Sequence, residues 1–322
     1  MSDPFVTIVI PNYNSASIRY NEESVLYSCI NSLIKTNYTN YRIIIADNAS
    51  TDNSAEVVRK FENVDFAVKK TKEEFGGIPR TNNFGIKYAM KKYNPDYILM
   101  YNTDMLIKSV DWLKKLVSLA ETDEKIGMVG CKLLYPNGNI QHAGMIIDAA
   151  PRNRGRGEKD HGQYDKIEEF DGVTAALALI RKNVFEKVGF FDENLYSGFD
   201  DTDFCIRVRE AGFKILYDGE VSIIHFEGFA SANSPDNTIK DKSFYANQMS
   251  YMYFALKNFN LVNKTKVLFY LLTRPFFSAE ANDRERKVWN IRLKDRKLWR
   301  FKTSMKAIFK GYELYKNKYN NK

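Results

Sequence analysis

The chain has 322 residues, 44% of them hydrophobic and 27% charged, which suits one α/β domain with an appendage or two smaller domains and excludes a disordered or fibrous chain. No basic-then-apolar leader and no uninterrupted apolar run of about 20 residues is visible, so the expected compartment is the cytoplasm. Cys29, Cys131 and Cys205 are too widely spaced for a disulfide framework or a zinc site, and they read as small buried side chains.

Val6-Thr-Ile-Val-Ile10 is a β-branched run stopped by Pro11-Asn-Tyr-Asn14, the pattern of a first core strand emptying into a loop. Val25, Cys29, Ile30 and Leu33 recur at helical spacing within 22–35, and Arg42-Ile-Ile-Ile-Ala46 follows as a second strand. Strand, helix and strand in that order imply a right-handed parallel crossover. The second strand ends in Asp47-Asn-Ala-Ser-Thr-Asp-Asn-Ser54, small polar residues suited to start a helix over 55–61. A short third strand near Phe66–Val68 precedes Gly76-Gly-Ile-Pro-Arg-Thr-Asn-Asn-Phe-Gly85 and a helix to about Lys92. Glycines at a helix start permit close approach to a ligand, and Arg80 offers a planar fork for phosphate; an ordinary glycine loop fits the same residues.

Tyr97-Ile-Leu-Met-Tyr101 carries no charge and suits a strand covered on both faces. It ends in Asn102-Thr103-Asp104, polar groups that a core strand cannot bury unpaired, so Asp104 falls at a strand exit, where open α/β sheets bind ligands. There it can hold a hard divalent cation against a phosphate, or it can simply begin the turn before a helix at 111–121. After a strand at 126–134, Pro151-Arg-Asn-Arg-Gly-Arg-Gly-Glu-Lys-Asp-His-Gly162 is charged and aperiodic, the composition of a mobile lid or a solvated loop; mobility is the expectation here. A strand at 172–180 and a helical turn at 184–188 lead to Gly189-Phe-Phe-Asp-Glu193 and then Phe199-Asp-Asp-Thr-Asp-Phe204. Three carboxylates within four residues, bracketed by phenylalanines, read as a partly buried functional cluster or as a helix cap. Two more strands, Ile215–Tyr217 and Val221–Ile224, follow, and the second delivers His225 at its end.

The order of these motifs resembles the family 2 glycosyltransferases, in their rhamnosyltransferase-like branch. The matching pieces are Thr7 to Asn14, Ile45 to Asp52, Asn82 to Gly85, Asn102 to Asp104, and the block from Val188 through Arg207 to His225. The resemblance implies a GT-A fold: a Rossmann-like mixed, mainly parallel α/β sheet flanked by helices. It also implies a nucleotide-sugar donor, UDP- or dTDP-linked, a divalent metal such as Mn²⁺ or Mg²⁺, and inversion at the anomeric carbon. Carried onto this chain, it sets Pro11 and Tyr13 beside the nucleobase and Asp47 as acceptor for its ring N–H. Arg80, Asn83, Asn102 and Thr103 would line the nucleotide or diphosphate. Asp104 would bind metal with His225 nearby, and Asp201 would be the catalytic base. Asn102 stands where a first aspartate often occurs, and Asp200 where a glutamate is usual. Asp203 and Arg207 would shape the acceptor loop. Crowding by Asp200 and Asp203 is expected to raise the proton affinity of Asp201.

Residues 259–322 carry 17 Lys and Arg against 5 Asp and Glu, so the positive charge belongs to the tail, and the domain split is expected at 1–258 and 259–322. Phe301, Met305, Ile308, Tyr312 and Tyr315 make a helical stripe among lysines. Such a stripe packs on the catalytic domain, seals a homodimer, or lies on a membrane; the charge favours anionic lipid, which would bring the site to a lipid-linked glycan acceptor at the inner face of the cell membrane. Nucleic acid is not an expected partner, since no recognition motif accompanies the charge. Two other activities fit a nucleotide-and-metal site: a sugar-phosphate nucleotidyltransferase, whose basic glycine-rich first loop Pro11–Asn14 lacks, and a noncatalytic nucleotide-sugar or glycan-binding protein.

Overall fold

The computed structural model describes residues 3–20, 22–69, 77–196, 198–228, 239–277 and 293–319. Val6–Asn12 (β1), Tyr41–Asp47 (β2), Val64–Val68 (β3) and Tyr97–Tyr101 (β4) run parallel in the order β4-β1-β2-β3. Six more strands extend the sheet among the described residues: Met105–Leu106 (β5), Ile126–Leu134 (β6), Ile140–His142 (β7), Ile167–Glu169 (β8), Leu177–Arg181 (β9) and Lys214–His225 (β10). β9 is antiparallel to both β4 and β6, β10 is parallel to β6, and β5 and β8 pair antiparallel with β10. β7 pairs antiparallel with β6.

The period of two along each strand sends alternate residues to opposite faces, and both faces are covered. Ile8, Ile10, Leu99 and Tyr101 pack with Leu26 and Ile30 of Val25–Leu33 (α1), Val57 of Ser54–Val58 (α2) and Leu116 of Trp112–Ala120 (α4). Val9, Ile44, Ile98 and Met100 pack with Ile86 of Gly77–Tyr93 (α3), Phe185 of Lys182–Val188 (α5) and Val208 of Asp200–Glu210 (α6). All three cysteines are buried and free.

Residues 215–224, expected as two strands, form the single β10. Its register with β6 is irregular between Asp218 and Ser222, where Glu220 N donates to Asp218 Oδ1 (3.0 Å). A polar turn inside a strand thus makes an irregularity and not an end. The charged segment 151–162 is also not the lid its composition suggests. Lys132, buried in β6, pairs with Asp160 (3.0 Å) and with Asp165 beyond it; Arg154 pairs with Glu168 (2.6 Å) and Arg156 with Glu227 (2.7 Å). The charges are spent on tying the loop down.

Contacts divide the chain into two units. The second comprises Glu193–Asp200 with the helices Ile239–Asn258 (α7), Leu261–Phe277 (α8) and Leu293–Tyr319 (α9), so the division falls earlier than 258/259 and takes α7 with the tail. Within this unit α9 lays Ser304, Ala307 and Gly311 against α7, where a side chain on Gly311 would meet Met249 O at 2.7 Å. Ile308 of the aromatic stripe is buried, while Tyr312 and its neighbour Phe309 are exposed. Phe199 stacks on Tyr251, with centroids 4.5 Å apart.

Gly85 fixes how closely α3 lies on the sheet: a Cβ there would fall 2.5 Å from Val9 Cγ1 and 2.8 Å from Ala46 Cβ. Gly85→Ala is therefore expected to destabilise the protein by about 1–3 kcal/mol despite alanine's better helix propensity, because it overpacks the core. Urea denaturation of the two proteins checks this.

Candidate functional site

β1, β2 and β4 end at one edge of the sheet, and the chain turns polar there, at Asn12, Asp47 and Asn102, because the strand interiors are closed to water on both faces. At the ends of β1 and β2, Asn12 and Asp47 stand in register; Asn12 Nδ2 donates to Asp47 Oδ1 (2.6 Å). Ser50 Oγ donates to the same oxygen (2.6 Å) and Ser50 N to Oδ2 (2.8 Å), which closes the turn through Ala49 in the left-handed region at φ 56°. Pro11 pairs with Ala46 and is half-buried, as is Tyr13 one residue beyond the strand. Gly77 lets α3 begin against this turn, since a Cβ there would sit 2.8 Å from Asn48 Nδ2, and Arg80 lies half-buried one turn on. Gly76 lies outside the described residues.

The expectation that Asn83 lines the nucleotide meets a different use. Its Nδ2 donates to Phe191 O (2.9 Å) and its Oδ1 accepts from Phe191 N (3.0 Å), so the amide braces the Gly189–Asp192 loop. Arg207 holds the same loop through Val188 O (2.7 Å) and Phe190 O (2.9 Å) while paired with Asp203 (3.0 Å).

At the exit of β4, Asn102 N donates to Ala176 O (3.0 Å), Thr103 is buried and Asp104 begins a reversal into β5. Met105 of β5 pairs with His225 of β10, and Phe226 N donates to Asp104 O (2.9 Å). This backbone pairing sets Asp104 Oδ1 3.1 Å from His225 Nε2, with only 10% and 7% of the two side chains exposed. His225 Nδ1 lies 2.6 Å from Gln141 Oε1, and Gln141 Nε2 donates to Glu227 Oε2 (3.2 Å). Burial would raise the Glu227 carboxyl, but Arg156 and Tyr135 hold it below the usual range. Gln141 and Glu227 were not legible as site residues: neither falls in a motif, and it is strand pairing that brings Gln141 to the ring of His225 and to Glu227 two residues further on. A cavity of about 20 Å³, lined by Asp104, Thr103, Cys29, Tyr20 and Phe226 among others, adjoins the pair and has room for about one water.

Asp201 stands on the first turn of α6 and accepts from Thr202 N (2.8 Å), the Thr174 hydroxyl and Ala175 N. Burial raises its proton affinity, and these donors oppose the rise. The expected cause was crowding by neighbouring carboxylates; burial is the dominant one, and Asp203 has its charge matched by Arg207. Asp201 and Asp104 do not touch. They are nevertheless on one edge, because Ala175 binds Asp201 while the adjacent Ala176 binds Asn102.

Among the described residues no three His, Cys, Asp or Glu side chains group as a metal centre. The Asp104 and His225 pair still fits a divalent ion that takes its other ligands from a diphosphate and water, since a carboxylate oxygen and an imidazole nitrogen, both metal-ligating atoms, face each other at 3.1 Å, with Gln141 Oε1 2.6 Å from the other ring nitrogen.

The sequence profile described as "Glycosyl transferase family 2" matches residues 7–189. The O-antigen biosynthesis protein RfbC of Myxococcus xanthus is 27% identical over 77% of this chain, which spans only 19% of that relative. The O-antigen chain rhamnosyltransferase WbaN of Salmonella anatum is 24% identical over 70% of the chain and 67% of its own length. Among solved structures, a mannosyltransferase of Pyrobaculum calidifontis in complex with GDP-Man and Mn²⁺ superposes with a TM-score of 0.54 at 13% identity, covering 99% of this chain and 88% of that one.

Beside the pair, His142 is buried with Nδ1 2.9 Å from Asn153 Oδ1 and Nε2 without a partner among the described residues. Burial pushes its pKa down to about 4 from an ordinary 6.5. The unfolded chain therefore takes up a proton below about pH 6.5 that the fold refuses until about pH 4, so stability is unaffected above that window and falls as pH drops through it, by about 3 kcal/mol in all. Urea denaturation from pH 7 to pH 4 should show this slope, and His142→Leu should flatten it by the equivalent of one proton.

Proposed function

Because the chain belongs to glycosyl transferase family 2, in its rhamnosyltransferase-like branch and with the GT-A fold, we propose that it is an inverting, metal-dependent glycosyltransferase. Its donor is a UDP- or dTDP-linked sugar and its acceptor a hydroxyl of a glycan or lipid-linked glycan. The observation that carries this reading is the common sheet edge of two carboxylate stations with different surroundings: Asp104 against His225, and Asp201 in a ring of hydrogen-bond donors.

In the proposed reaction the acceptor oxygen attacks the anomeric carbon as the bond from that carbon to the diphosphate breaks, and the acceptor proton passes to Asp201. Products are the inverted glycoside and the nucleoside diphosphate. Asp104 and His225 would hold the divalent ion, which supplies neutralising charge to the departing diphosphate. Arg80 adds a guanidinium for the phosphates. Pro11 and Tyr13 flank the base, Asn102 and Thr103 line the diphosphate, and Asp47 keeps acceptor capacity for the ring N–H: three of its roughly four lone-pair sites are taken by Asn12 and Ser50. Thr202 Oγ1, at 3.3 Å the long contact to Asp201 and shared with Met145 Sδ at 3.4 Å, is the donor that the acceptor hydroxyl displaces.

Asp201→Asn should keep the fold by circular dichroism and lower kcat by about 10²–10⁴, the usual contribution of a general base. In the parent enzyme a base must be ionised, so kcat should fall as pH drops through a pKa raised above the ordinary 3.8. Transfer by Asp201→Asn at the parent rate refutes the assignment.

The basic unit supports a second element of the reading, attachment to an anionic membrane surface. No described helix is long and apolar enough to cross a bilayer. Phe269 of α8 is 70% exposed and Phe309 of α9 66% exposed, among Lys266, Lys302 and Lys306, which is the mixture of apolar and cationic groups that an anionic lipid surface takes up. The double variant Phe269→Glu, Phe309→Glu should lose most co-sedimentation with phosphatidylglycerol vesicles, and the parent should release them as salt screens the charge.

A further inference from the structure

We propose that Gln141 is a positioning residue that holds His225 in the tautomer whose Nε2 bears the lone pair, and so sets its affinity for the divalent ion. The proposal rests on the cation reading of the Asp104 and His225 pair and assigns the tautomer choice to Gln141 and the residues behind it, outside the pair itself.

A neutral imidazole has one donor nitrogen and one acceptor, and its neighbours decide which is which. His225 Nδ1 faces a Gln141 side-chain atom at 2.6 Å. A glutamine amide is ambiguous on its own, since its two ends exchange by a flip. Here the other end decides, because it lies 3.2 Å from Glu227 Oε2. Glu227 has Arg156 Nη2 at 2.9 Å from one carboxylate oxygen and 2.7 Å from the other, and Tyr135 Oη donates to it at 2.8 Å. A carboxylate clasped by a guanidinium accepts and does not donate. The Gln141 NH₂ must therefore face Glu227, Oε1 must face the imidazole, and the ring proton must stand on Nδ1. In the neutral ring that leaves the Nε2 lone pair aimed at Asp104 Oδ1 at 3.1 Å.

Two acceptors at that distance repel unless a positive charge lies between them. A divalent ion answers that need and an uncharged ring of the opposite tautomer would compete with it, so suppressing the second tautomer favours the ion. The relay begins at Arg156 in the segment 151–162, and this gives the ion-paired loop a use: its guanidinium fixes Glu227, Glu227 fixes the amide, and the amide fixes the ring. Gln141 is 3% exposed and sits in β7 beside β6, so its own position is set by strand pairing and is not an adaptable surface contact.

The test uses the full chain with Mn²⁺ alone as the probe and long-range ¹⁵N histidine spectra of the metal-free protein. His225 of the parent should show the Nδ1–H tautomer. Gln141→Met, similar in length but without an acceptor, should populate the Nε2–H form and weaken Mn²⁺ binding by about 10–100-fold, read by electron paramagnetic resonance. Glu227→Gln, which removes the constraint on the amide and leaves Gln141 in place, should shift both readouts in the same direction and serves also if Gln141→Met fails to fold. Parent-like tautomer and affinity in either folded variant, or an Nε2–H ring in the parent, overturns the proposal. Mn²⁺ affinity unchanged in His225→Ala overturns the cation reading beneath it. Affinity lost in His225→Ala but kept in Gln141→Met overturns the positioning role alone.

Discussion

The short antiparallel pairing of Met105 with His225 is the constraint on which the site depends. It joins residues more than a hundred positions apart and fixes them by backbone hydrogen bonds, so the neighbouring Asp104 and His225 side chains meet without either having to search for the other. Side-chain contacts alone would leave two flexible polar groups to be ordered on ligand binding, at a cost in entropy. A pair in which β5 follows directly from β4 in the chain and is hydrogen-bonded to β10 has already met that cost during folding.

The same logic explains why the polar residues gather on one edge. β1, β2 and β4 are sealed between α1, α2 and α4 on one face and α3, α5 and α6 on the other, and no polar side chain can leave such a strand sideways without losing its hydrogen bonds. Polarity is pushed to the strand ends, where Asn12 meets Asp47 and the chain after Tyr101 turns back through Asp104. The covering helices approach closely enough for glycine to be required at Gly85. The apolar interior of the sheet and the polarity of this edge are thus one consequence of a single hydrophobic pattern.

That pattern is why so much could be read from the residues. The apolar runs at 6–10, 43–46 and 97–101 are short and uncharged and give way to Pro11-Asn12, Asp47 and Asn102, within two residues of where β1, β2 and β4 end, so strand and strand end are both written locally. What escaped reading depends on partners distant in the chain. The interrupted stretch 215–224 reads as two strands because Asp218-Gly-Glu220 looks like a turn, and only the continuing register with β6 makes it one. Segment 151–162 has the composition of a lid until Lys132 and Glu227 are seen to neutralise it. Asn83 looks like a ligand-binding amide because nothing near it in sequence reveals Phe191. Gln141 has no local signature at all, and its orientation follows from a carboxylate 86 positions away.

The two carboxylate stations differ in how their charge is met, and the difference bears on their chemistry. Asp104 faces an imidazole nitrogen at 3.1 Å and, in the proposed reaction, a cation held between the two, so its charge is met there by an opposite one. Asp201 is matched by dipoles: a backbone N–H on each of two segments and hydroxyl groups of threonine. Dipoles offset the loss of water only in part, so the carboxylate keeps a raised proton affinity, whereas a full countercharge would have lowered it and made a poorer base. Arg207, the nearest candidate on the same helix to neutralise it, is instead spent on Asp203 and on the carbonyls of Val188 and Phe190. With Arg207 engaged by Asp203, the Asp201 carboxylate keeps the raised proton affinity that the proposed base requires, while Asp203 anchors the arginine that holds the loop.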